Sequence, residues 1–367
     1  MDRASFLKIC GVLGIGLPFQ SLLSSCEKPL VNASGFNGKV VIIGAGAGGL
    51  SAGYLLSQLG VDFEILEASS EIGGRMKIDP NFADFPIPLG AEWIETKTMT
   101  LGEIVNDDKV SIGLNFVEDD ADYKFVRYSW LNFFEDYLLP SVRDKIRYQE
   151  VVQSIKYSEN EVQVASSKGL FSADRVIISV PLKVLQEGGI FFQPALPANK
   201  SEAIQNATIW EGFKAFFEFS IPFYGDGFSV PVSPKEAGQK IYYDAALGQN
   251  SNHHILGLFA VGEPARILSE LSSEELKINV LGELDEVYNG QASASYQKHT
   301  SQNWQSEPHI RAGYLSDHED WRLVKELGKS INNKVYFAGG EYTDGEDWVS
   351  VHTAAQSARR AVAELLS

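Results

Sequence analysis

Cysteine is nearly absent: the 367 residues hold two, Cys10 and Cys26. Everything beyond Cys26 therefore lacks a disulfide, a thiolate nucleophile and a cysteine metal site. Histidine is scarce as well. The six histidines form no H-x-x-x-H or H-E-x-x-H array, so no metal centre is expected. No long basic run occurs, and the formal net charge is −17. That balance argues against a nucleic-acid partner and favours attraction of small cations. Long apolar runs are missing too; the longest, at residues 9–23, is short for a bilayer span. What remains is a chain with 44% apolar residues, no repeat and enough length for two packed domains.

Arg3 and Lys8 precede that apolar run, which is the layout of an export signal. Residues 23–26, LSSC, resemble the lipobox of bacterial lipoproteins. That resemblance implies a lipidated Cys26, and a protein anchored in the bacterial periplasm or at the outer membrane. DRASFLK also resembles a twin-arginine export motif, with Ala4 where the second arginine belongs. Residues 27–37 read as a polar tether.

The body opens with VVIIGAGAGGLSAGYLLSQLGVDFEILEAS. Residues 40–43 are a β-branched run of the kind buried in parallel sheets. Gly44, Gly46 and Gly49 spell G-x-G-x-x-G, with Gly48 between them, and leucines at helical spacing follow. This pattern supplies a tight turn, close approach to a pyrophosphate, and a helix N-terminus whose free N–H groups face phosphate. Glu67 ends the next strand about twenty residues on, where a ribose hydroxyl is gripped. Ser51 lies in G-x-S-x-G, the pattern of a hydrolase elbow. It falls inside the helix rather than on the turn, so it is read as a packing residue.

EIGGRM comes next. Gly73 and Gly74 let the backbone fold close to the pyrophosphate, and Arg75 offers it a guanidinium fork. The run from Val40 through Arg75 resembles the flavin amine oxidases, a family that includes monoamine, polyamine and L-amino-acid oxidases. Two later stretches carry the same resemblance. VVQSIKYSENEVQVASSKGLFSADRVIISVPLKVL matches the family's return to the nucleotide domain. NKVYFAGGEYTD and SVHTAAQSARRAVAELL match its closing strand and helix. The closing match is partial, since His352, Thr353 and Ala358 replace the family's Glu, Gly and Gly.

The resemblance implies an α/β fold: a discontinuous FAD-binding parallel sheet, and a second α+β domain on an antiparallel or mixed sheet. The FAD-binding segments would be 38–97, 146–185 and 310–367; the substrate segments would be 98–145 and 186–309. FAD would be bound non-covalently, because Gly313 stands where some relatives carry a flavin-linked cysteine. Beyond the glycine loop, Glu67 and Arg75, the implied cofactor contacts are the Val152 backbone, Gly340, Glu341, Ser350 and Val351.

On the substrate side the match gives Tyr314 as an aromatic wall and Trp93, in GAEW, as part of the pocket floor. Family members pass hydride from a C–H next to an amine nitrogen to the flavin, with oxygen or another molecule as acceptor. Two departures stand out. The family's flavin-facing lysine has no counterpart in residues 241–262, and Lys214 is read as structural. The span between GAEW and the return strand is also much shorter than the family's helical roof, leaving a pocket open to water or closed by a partner chain. Two other readings compete: a desaturase-like flavoprotein with a different acceptor, and a non-catalytic FAD-binding module.

Overall fold

The computed structural model describes residues 36–367 apart from 108, 120–121, 159, 226, 230–236, 317–319 and 345–348. The export signal, the lipobox and Cys26 lie outside the described residues.

Five parallel strands form the first sheet, in the order Val335–Phe337, Arg175–Ile178, Lys39–Ile43, Asp62–Glu67, Ile146–Tyr148. The run at residues 40–43 has no polar face because both sides of this sheet are covered. Val40 and Ile42 join a core with the Ala47–Gln58 and Val351–Leu366 helices. Val41 and Ile43 point the other way, into a core with Ile155, Val164 and Phe337. Val40, Val41 and Ile42 have no exposed surface, and each such burial contributes about 1.5–3 kcal/mol.

That second face is capped by a four-stranded sheet containing the hairpin of Val152–Tyr157 and Val162–Ser166. The third sheet is antiparallel and five-stranded, in the order Gly227–Ser229, Gly238–Asp244, His254–Gly262, Gly212–Phe219, Tyr296–Asn303. In its Gly212–Phe219 strand every residue is buried, and the side chains alternate between faces. Phe213, Ala215, Phe217 and Phe219 pack in the core shared with Leu276, Val280 and Leu284 of the Ser273–Tyr288 helix. Ser272 and Glu275 close a capping box at the start of that helix. Lys214, Phe216 and Glu218 therefore occupy the opposite face.

Residues 98–145 form short helices and the hairpin of Phe116–Asp119 with Asp122–Phe125. Leu101, Ile104, Trp130, Phe133 and Phe134 share the core beside the Ala47–Gln58 helix. Leu131 is the one residue of this segment, among those described, that borders the large cavity.

Candidate active site

The C-terminal ends of all five parallel strands open on one cavity of about 1120 Å³. This is where open α/β sheets bind ligands, because chain reversals on either side of the central strand leave a crevice. Gly44, Gly46 and Gly48 line it, followed by Glu67, Gly73, Gly74 and Arg75. Val152, Gly340, Glu341, Ser350 and Val351 complete the nucleotide side. Gly49 does not line the cavity. It sits behind the loop, where an added Cβ would lie 1.9 Å from the Gly44 carbonyl oxygen.

The first loop leads directly into the Ala47–Gln58 helix. Gly46 is its N-cap, and the first intrahelical bond runs from the Leu50 N–H to the Gly46 carbonyl at 2.9 Å. A Cβ on Gly46 would meet nothing within 4 Å, so the space beside it belongs to the cavity. The diglycine returns to this loop, with the Gly73 N–H donating to the Ala45 carbonyl at 2.9 Å. Such a cradle, at the end of a twelve-residue helix, fits the pyrophosphate of FAD.

Glu67 braces the cradle. Its carboxylate accepts from the Ala45 N–H at 2.6 Å and the Ser69 N–H at 2.8 Å. Two oxygens offer about four acceptor directions, so capacity remains for ribose hydroxyls. Glu67→Ala should weaken FAD binding by about 1.5–3 kcal/mol, the scale of hydrogen bonds to a charged acceptor. Titration of the apoprotein with FAD checks this, and an unchanged dissociation constant would move the ribose elsewhere.

Arg75 ties three distant stretches together. One guanidinium nitrogen donates to the Gly313 carbonyl, and another pairs with Glu341 at 2.6 Å. Its own carbonyl accepts from the Ala91 N–H at 2.9 Å, which sets the register of the segment leading to Trp93. At the closing helix, Ser350 and Thr353 form a capping box. The Thr353 that departs from the family pattern thus secures the helix start beside the cavity.

Trp93 and Tyr314 both border the cavity and are half-buried. Trp93 donates through its indole N–H to Asp119 at 2.8 Å and packs edge-on against Phe259. Tyr314 lies 6.4 Å, centroid to centroid, from Trp210. Burial raises the pKa of its phenol, and the Glu95 carboxylate raises it further. It is therefore a neutral ring at physiological pH. Ser51 is buried in the helix, its hydroxyl without a hydrogen-bond partner, which suits no elbow nucleophile.

Lys214, read as structural from the sequence, is held in a buried ion pair with Glu92. It lines the cavity, with its ammonium 4.8 Å from the Trp93 ring centroid. Glu92, which the sequence reading passed over, holds it at 2.7 Å. A signal for both existed: a lysine inside the apolar run GFKAFFEF must find a buried counter-charge.

Comparison with known proteins agrees with this geometry. Residues 134–366, well over half of the chain, match the model of the flavin containing amine oxidoreductases. Residues 42–105 match an NAD(P)-binding Rossmann-like domain. Lysine-specific histone demethylase 1B of Mus musculus is 29% identical over 208 residues, 53% of this chain and 24% of that protein. Polyamine oxidase 1 of Zea mays is 22% identical over 375 residues, covering 69% of this chain and 75% of that one. The chain spans only about a quarter of the first curated relatives it matches.

Among solved structures, cyclohexylamine oxidase from Brevibacterium oxydans IH-35A superposes with a TM-score of 0.74 at 15% identity, covering 90% of this chain and 99% of that one. Putrescine oxidase bound to putrescine gives 0.71 at 15% identity, with the same coverage. These two likenesses establish the fold. With its glycine cradle, Glu67 carboxylate and closing helix all lining one cavity, the chain belongs to the flavin containing amine oxidoreductase family.

Proposed function

We propose that this protein oxidises a small amine at the carbon next to nitrogen, with FAD as the bound cofactor. One observation carries the reading: Trp93 and Tyr314 share a single cavity with the dinucleotide cradle. FAD held there supplies the two-electron acceptor for that C–H bond. Trp93 and Tyr314 offer aromatic surface against which an alkyl amine is oriented, in a cavity that Glu95 also lines. Phe213, Phe259 and Val261 line the same cavity and reduce the water around the reacting carbon. Arg75 fixes the Tyr314 segment through the Gly313 carbonyl. Oxygen or another acceptor completes the turnover.

The test is anaerobic mixing with primary, secondary and amino-acid amines while the visible flavin spectrum is followed. Bleaching by at least one amine is expected. Tyr314→Ala should slow it on the order of tenfold to a hundredfold through lost orientation, with FAD still bound. Bleaching by an apolar non-amine donor alone would favour the desaturase-like reading. No bleaching by any donor would leave a binding module.

A further inference from the structure

Residues 307–314 form a stretch of cavity wall whose fastenings the proposed reaction does not use. All of them except Ala312 line the cavity, and Pro308 and Arg311 are also exposed to solvent. The segment therefore stands between the cavity and water. Three ties hold it. At its start, Glu307 accepts from Lys77 at 2.7 Å and from the Gln302 amide at 2.8 Å. Near its end, the Gly313 carbonyl accepts from Arg75, and the Gly313 N–H donates to the Trp210 carbonyl at 2.8 Å. Gly313 also packs on Gly212 so closely that its added Cβ would lie 3.0 Å from the Gly212 Cα. Between these two anchored points the Arg311 guanidinium pairs with Glu187. Lys183 stands 3.9 Å from the same carboxylate.

The Arg311 tie crosses to the adenosine end of the cavity. Glu67 marks that end, as the acid beyond a dinucleotide glycine loop. The Glu150 N–H donates to the Glu67 carbonyl at 2.8 Å, which brings Val152 to the same end. Strand Phe191–Gln193 pairs in parallel with Val152–Tyr157, Phe191 opposite Ser154. Gly189 and Ile190 therefore run beside Val152, and both line the cavity with Val184 and Glu187. Arg311 reaches this wall from a left-handed backbone, with φ +64°, a conformation that costs a residue with a side chain. The paired side chains are 51% and 37% exposed. An ion pair so exposed is weak and sensitive to salt, which suits a fastening that opens more than a fixed part of the core.

We propose that residues 307–313 are a strap over the adenosine end of bound FAD, and that the Arg311–Glu187 pair is the latch that sets how fast the cofactor leaves. Lys77 holds one end, and Arg75 with the Gly212–Gly313 contact holds the other. Release of the pair thus frees residues 308–310 while Tyr314 keeps its place. The inference goes beyond amine oxidation and needs only FAD in the cavity. Arg311 and Glu187 act on each other across the strap, as positioning residues.

The experiment measures FAD release from the holoprotein, by exchange of bound radiolabelled FAD against an excess of unlabelled FAD. It compares wild type, Glu187→Arg, Arg311→Glu and the double swap. Each single swap sets like charges across the strap and should speed release on the order of fivefold to tenfold. The double swap restores the pair and should bring release back to within about twofold of wild type. Added salt should speed release more in wild type than in Arg311→Met, which has no pair to screen. Amide hydrogen exchange over residues 307–311 should rise in both single swaps and fall back in the double swap.

Glu187→Arg separates a latch from a general field. Acting only through charge near the pyrophosphate, an added arginine would slow release, so slower release in that variant overturns the proposal. A double swap that stays as fast as Arg311→Glu also overturns it, and makes Arg311 a direct phosphate ligand. Unchanged hydrogen exchange over residues 307–311 in the single swaps overturns the strap. These rates are read without any amine, so the latch and the amine reading stand or fall separately.

Discussion

Gly46→Val should abolish FAD binding while the apoprotein still folds, and Gly49→Ala should do the reverse damage, destabilising the fold itself. The two glycines are three residues apart in one motif but meet different surroundings. A side chain at Gly46 enters space that no protein atom occupies within 4 Å. Its backbone φ of −81° suits any residue. The only intrinsic cost is a poorer N-cap, about 1 kcal/mol. The branched side chain would then fill the volume where the pyrophosphate approaches the helix N-terminus. At Gly49 the added Cβ collides with the Gly44 carbonyl at 1.9 Å, so the helix must move off its strand. Overpacking against rigid backbone costs about 3 kcal/mol or more. Thermal melts of the apoproteins and FAD titrations separate the two effects. A Gly46→Val melt as low as that of Gly49→Ala would make Gly46 a packing residue.

Lys200→Met should destabilise the fold strongly at a place away from the cavity. The Lys200 ammonium is buried and donates to three carbonyls, of Glu326 at 2.9 Å, Leu327 at 2.6 Å and Lys329 at 2.8 Å. These belong to the end of the Trp321–Gly328 helix, where the Lys329 N–H also donates to the Glu326 carbonyl. The nitrogen also lies 3.7 Å from the centroid of Phe337, in the parallel sheet. Methionine fills the stem but removes the donor from the Leu327 and Lys329 carbonyls, at a cost of about 2–4 kcal/mol.

The loss should depend on pH. Burial lowers the Lys200 pKa from 10.5 to about 7. Between those values the unfolded chain binds a proton that the folded chain does not, so this group makes stability rise with pH. The gap between wild type and Lys200→Met should therefore widen from pH 7 to about pH 10 and stay flat below pH 6. Urea unfolding at several pH values measures it. A gap constant across that range would mean that Lys200 keeps its proton throughout.

The amino-acid sequence by itself determined the nucleotide side. Strand, glycine loop, helix and terminal Glu67 are contiguous, and each is fixed by short-range physics: β-branched burial, the steric freedom of glycine, and unpaired N–H groups at a helix start. The substrate side belonged to tertiary structure. Arg75 reads locally as a pyrophosphate ligand, yet its guanidinium also locks Glu341 and the Gly313 carbonyl. These partners stand more than two hundred residues away in the chain. Lys214 reads as one lysine in a buried strand, and only the fold gives it Glu92, Lys124 and Trp93 as neighbours. Local pattern fixes which way a side chain points along its own element. Which charge it meets there depends on how separate elements close on one another, and that is set by packing of the whole chain.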